Sequence, residues 1–180
     1  EVDFRSDIYS LGVTLFHMAT GQSPYNADST EFAVYEQIVH TPLPLASTIY
    51  PGVIETLTDL KQLGLKSAVV TNKPQAATEK VLDGLGLSHL FAAVVGADNH
   101  LALKPDPAPL RLALDKLEAS TDLAVMIGDN ANDVGAARAL KIPVIAVAYG
   151  YARTSPEQLG ADLLIEHFDD LTAALRWFPN

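Results

Sequence analysis

Beyond residue 50, short apolar runs alternate with stretches of helical period, and this alternation restricts the fold more than any other feature. Val53, Leu57, Leu60 and Leu63 recur at helical spacing, and Gly64 is a good terminator. Residues 65–70 then read as a buried strand. Ala77, Val81, Leu82 and Leu85 mark a second helix closed by Gly86, and residues 92–96 a second strand. Leu110, Ala113, Leu114 and Leu117 mark a third helix. Residues 123–127 form a strand, followed by a Gly-Asp-Asn turn and an alanine-rich helix over 131–140. Strands over 143–148 and 162–165 and a closing helix over 171–177 complete the series. Continuous apolar strands between helices require a sheet covered on both faces. The predicted fold class is α/β, with a doubly wound, mainly parallel sheet, and ligands in such sheets bind beyond the carboxyl ends of the strands.

Prolines at 42, 44 and 51 break the pattern, and a boundary is placed at about residue 46, separating residues 1–46 from 47–180. The shorter part carries six acidic side chains against one basic, Arg5. The whole chain has a formal net charge of −10, which argues against non-specific nucleic-acid binding. No apolar run approaches the roughly 18 residues of a membrane span. There is no cysteine, which excludes disulfides, cysteine-ligated metal and a cysteine nucleophile. With no signal peptide at the start, the expected location is cytoplasmic.

The strand ends hold the candidate chemistry. Thr71-Asn72-Lys73 follows the first strand, where a hydroxyl and an amide ahead of a helix suit a phosphate or serve as a helix cap. Lys104, in Lys104-Pro105-Asp106-Pro107, is held by prolines and is either an anion clamp or a solvated surface cation. Gly128-Asp129-Asn130-Ala131-Asn132-Asp133 sets two carboxylates four residues apart. They can converge on magnesium, which accepts one or two carboxylates plus water and phosphate oxygens, or they can cap the helix.

Together these stretches resemble the haloacid dehalogenase-like hydrolases, and within them the phosphoglycolate phosphatases, over residues 49–180. Tyr50-Pro51-Gly52-Val53, Pro143-Val144-Ile145-Ala146-Val147 and Tyr149-Gly150-Tyr151 match as well. The resemblance implies a Mg2+-dependent phosphomonoester hydrolase acting on a small phosphorylated metabolite. It implies that Thr71 bonds the transferring phosphoryl group with Asn72 beside it, that Lys104 neutralises charge, that Asp129 ligates the metal and that Asp133 supports it.

The family's nucleophile motif, Asp-x-Asp-Gly-Thr after an apolar strand, has no counterpart before residue 49, and neither Asp3 nor Asp7 fits it. Its strand lies mid-sheet in the family, so its loss leaves a gap with unpaired backbone groups. Exposed sheet edges of that kind would favour self-association into a homo-oligomer. The stretch from Arg5 to Tyr25 resembles the central helix of the large lobe of a serine/threonine protein kinase, with Ile8, Leu11, Leu15 and Met18 as its apolar stripe. A second helix is expected around Phe32, Tyr35, Ile38 and Val39. No kinase catalytic element accompanies them. The sequence therefore reads as a chimera: two kinase-like helices preceding a phosphatase core that lacks its first strand and its nucleophile.

Overall fold

The computed structural model describes residues 8–11 as backbone, and residues 49–97, 102–149 and 155–178 in full. Among the described residues six parallel strands form one sheet: β1 (Ile8–Leu11), β2 (Lys66–Pro74), β3 (Ala93–Ala97), β4 (Ala124–Gly128), β5 (Val144–Val147) and β6 (Leu163–Ile165). Their order is β3-β2-β1-β4-β5-β6. The α-helices among the described residues are α1 (Val53–Gln62), α2 (Gln75–Gly84), α3 (Ala108–Leu117), α4 (Ala131–Ala139) and, after β6, the short α5 (Leu171–Ala174). The α/β class and the parallel, doubly wound sheet are as expected.

Period-two geometry explains the unbroken apolar runs. Val69, Val125, Ile127, Ile145 and Val147 face one core, with Leu57 and Leu60 of α1 and Leu171 of α5. Their neighbours Ala68, Val70, Met126, Val144 and Ala146 face a second core, against Leu110 and Leu114 of α3 and Ala136 and Ala137 of α4. The buried strand positions thus alternate between two covered faces.

The centre of the sheet corrects the sequence reading. Residues 8–11, expected in a helix, form strand β1, which pairs in parallel with β2 (Ile8 with Lys66 through Leu11 with Val69) and with β4 (Ile8 with Ala124 through Leu11 with Ile127). The place expected to be empty is filled. The physical reason is accounting of backbone groups: β2 and β4 each present an edge that must be paired when buried, and that demand overrides the helical spacing of Ile8 and Leu11. With both edges paired, the motive for self-association at the sheet centre disappears. The rest of the kinase-like stretch, including Leu15, Met18 and the second expected helix, lies outside the described residues, as does the boundary near residue 46.

A second difference lies in β2, which does not stop at Val70 but runs on to Pro74. Its pairing with β3 is regular through Val70 and Val95, shifts, and resumes at Pro74 and Ala97. Such irregularities re-aim side chains next to sites, and this one spans Thr71, Asn72 and Lys73.

Candidate active site

β1 and β4 lie side by side, and the chain turns back between them: β1 to β3 build one half of the sheet and β4 to β6 the other. At such a switch point the ligand crevice of this class of fold lies outside the carboxyl ends of the strands, here those of β2, β1 and β4. Gly128 ends β4, and an added Cβ there would lie 2.5 Å from Asp133 Cβ and 2.7 Å from its Cγ. Only glycine admits the start of α4 so close to the strand end.

That approach lets Asp133 do two jobs at once. Its Oδ2 accepts the backbone N–H groups of Asp129 (3.1 Å) and Asn130 (3.2 Å), the latter as part of a capping box with Asn130 at the N-cap of α4. Its Oδ1 accepts from Lys104 Nζ at 2.6 Å. The capping alternative for Asp133 is realised, and the same carboxylate also pairs with Lys104. Lys104 Nζ also donates to the Val70 carbonyl at 2.6 Å. Both members of the pair are withdrawn from water, with Lys104 6% and Asp133 2% exposed, so Lys104 is no solvated surface lysine. An ammonium has three protons, so one donor remains for a group entering the crevice.

Thr71 is buried at the end of the regular part of β2, and its Oγ1 accepts the Lys73 N–H at 3.1 Å. It does not cap α2, whose N-cap is Pro74. Its hydroxyl proton is still available to donate. Both ends of the Asn72 amide meet the Lys104 main chain: its Nδ2 donates to the Lys104 carbonyl at 2.9 Å and its Oδ1 accepts the Lys104 N–H at 2.8 Å. The loop carrying Lys104 is further held by α4, where a Cβ on Gly135 would lie 2.8 Å from Pro105 Cβ. Asp106 Oδ1 accepts the Ala108 N–H as α3 begins.

Asp129, directly after β4, is 2% exposed. Among the described residues no group of three or more acidic, histidine or cysteine side chains converges. Asp129 and Asp133 are thus the two buried carboxylates after this strand, and both oxygens of Asp133 accept from protein donors. One or two carboxylates with water and phosphate oxygens are within what magnesium accepts, so residues of this kind suit the ion.

Lys73 had no role in the sequence reading beyond its place in the motif. Burial pushes its ammonium below the usual lysine range. Its position two residues after Thr71 was the available signal.

The model of the haloacid dehalogenase-like hydrolase family matches residues 13–147. The chain belongs to this family. The chain is 41% identical over 144 residues to a phosphoglycolate phosphatase of Rhodospirillum rubrum, covering 78% of this chain and 58% of that protein. It is 42% identical over 128 residues to one of Caulobacter vibrioides, covering 71% and 54%. A crystal structure described as a predicted phosphoglycolate phosphatase from Haemophilus somnus superposes with a TM-score of 0.70 at 31% identity, covering 80% of this chain and 62% of that one. The chain therefore spans little more than half the length of these relatives. The haloacid dehalogenase-like match begins inside the stretch read as kinase-like, and the comparisons lend no support to a kinase fragment or a chimera.

Among the described residues no helix is long and apolar enough to cross a membrane.

Proposed function

We propose that this chain carries a magnesium-dependent phosphomonoester site of the phosphoglycolate phosphatase type, with hydrolysis impaired by the lack of the family's aspartate nucleophile. The observation that carries the reading is the buried Lys104–Asp133 pair, set between the carboxyl ends of β2 and β4 beside Thr71 and Asp129. A fixed cation, a hydroxyl donor and a carboxylate around one crevice suit a phosphoryl group and its counterion. In this proposal Lys104 and Thr71 bind the phosphate, Asp129 holds magnesium, and Asp133 orients Lys104 and the Asp129 main chain. Magnesium, when bound, supplies charge neutralisation to phosphate oxygens. A small phosphorylated metabolite and a cytoplasmic setting belong to the same proposal.

One observation favours a second reading, a phosphate-binding scaffold without turnover. β1 occupies the slot of the nucleophile strand, yet Gly12-Val13-Thr14-Leu15 follows it, with no carboxylate.

The test is magnesium-dependent phosphate release from 2-phosphoglycolate and from an aryl phosphate, run beside inorganic phosphate binding by calorimetry, with Asp129→Asn as control. Phosphate binding that strengthens with magnesium in the parent but not in Asp129→Asn, with little release, is the expected result. Brisk release abolished by Asp129→Asn would overturn the impairment. Absence of phosphate binding would overturn the site.

A further inference from the structure

Lys104 is held at four points, two on its ammonium and two on its main chain, and both main-chain contacts come from one side chain. Asn72 donates to the carbonyl of Lys104 and accepts its N–H, at 2.9 and 2.8 Å. Such a reciprocal pair is satisfied in only one orientation of the amide, since rotation by half a turn sets donor against donor. It bridges 32 residues, tying the irregular end of β2 to the loop after β3. From that anchored main chain the ammonium reaches the Val70 carbonyl and Asp133. Asn72 therefore sits one residue from Thr71 in sequence while its side chain is spent on Lys104.

We infer that Asn72 is a positioning residue: its amide locks the Lys104 main chain so that the ammonium is preset for a phosphate, and it acts on the phosphate only through Lys104. This inference rests on the phosphate site proposed above. Small displacements of a charged group at such a site cost affinity steeply, because the contact must be made without rearrangement.

The experiment is a double-mutant cycle on the full chain, with inorganic phosphate as probe in calorimetry. Asn72→Ala should weaken phosphate binding by roughly tenfold to a hundredfold. Lys104→Gln, which keeps a neutral donor toward Asp133, should weaken it at least as much. In the Lys104→Gln background Asn72→Ala should then change nothing. Equal losses in both backgrounds would mean that Asn72 touches the anion itself, and unchanged affinity in Asn72→Ala would mean that the lock is idle; either overturns the inference. A ligand-independent readout separates the lock from the phosphate site. Amide hydrogen exchange at Lys104 should accelerate in Asn72→Ala while exchange along the regular part of β2 does not. Unchanged protection at Lys104 overturns the lock whatever the phosphate result. Accelerated exchange in a chain that binds no phosphate upholds the lock and overturns the proposed function. If Asn72→Ala does not fold, Asn72→Ser, with a shorter polar side chain, carries the same comparisons.

Discussion

A Cβ on Gly128 would overlap Asp133, and Asp133 is the residue on which the site's charge arrangement turns. Gly128→Ala must push α4 away from β4 or twist the Asp133 side chain. Overpacking of this kind costs about 1–3 kcal/mol, and here the displaced atoms are those that accept from Lys104 and from two backbone N–H groups. The expected outcome is a lower denaturant midpoint together with a loss of phosphate affinity larger than the loss of stability alone predicts. Equal stability and affinity to the parent would contradict the crowding at Gly128. Much of this was legible at the residue scale. A glycine before an aspartate at the end of an apolar run pointed to the strand end, and the four-residue spacing brought Asp129 and Asp133 to one turn. The bonds from Asn72 to Lys104 were not legible, because a side chain reaching the main chain 32 residues away leaves no local pattern.

Among the elements, β1 is the instructive case. Its four residues pair on both sides, so every N–H and C=O in its ladder lies inside the sheet. Ser10→Pro removes one donor and orphans the acceptor facing it. An unmade buried hydrogen bond costs about 1–3 kcal/mol, and the ring adds strain in a central strand. A clear fall in the urea midpoint is the expected outcome, and an unchanged midpoint would count against strand β1. The other strands were readable because each buries both faces and so shows a continuous apolar run. β1 was not, since Ile8, Leu11, Leu15 and Met18 also fit a helical stripe and four residues carry too little period to decide. Pairing between distant segments, which local spacing does not encode, settled the matter. The overrun of β2 to Pro74 was hidden for a related reason: Thr71, Asn72 and Lys73 are polar, and their strand geometry comes from the resumed pairing with β3.

At the scale of the whole molecule, the closing segment ties the site end of the sheet to α1. Tyr149 follows β5, and its ring lies 4.8 Å from that of Tyr50, just before α1. Burial, and then the neighbouring Tyr50, Asp169 and Asp170, push the Tyr149 hydroxyl well above the ordinary value of 10.0. Its oxygen is buried with no hydrogen-bond partner among the described residues. The folded chain therefore keeps this proton when the unfolded chain releases it. The associated stability is fully present below about pH 10 and is lost as pH rises past it. In Tyr149→Phe the alkaline decline in melting temperature should be shallower, and stability at neutral pH unchanged or raised by up to about 1 kcal/mol, because an unsatisfied buried hydroxyl is removed. A steeper alkaline decline, or a large loss at neutral pH, would show that the hydroxyl is ionised or bonded in the folded state.

The central strand also sets the tempo of folding. β1 comes first in sequence, but its partners are residues 66–69 and 124–127, so neither ladder closes until a long stretch of chain has been gathered. Loop-closure entropy rises only slowly with length, yet it must be met before the pairing is gained. Non-local contacts of this kind slow folding. β2 with β3, and β4 with β5 and β6, are each assembled from neighbouring segments. On this topology β2 with β3, and β4 with β5 and β6, are expected to assemble first, and the two ladders of β1 to close last.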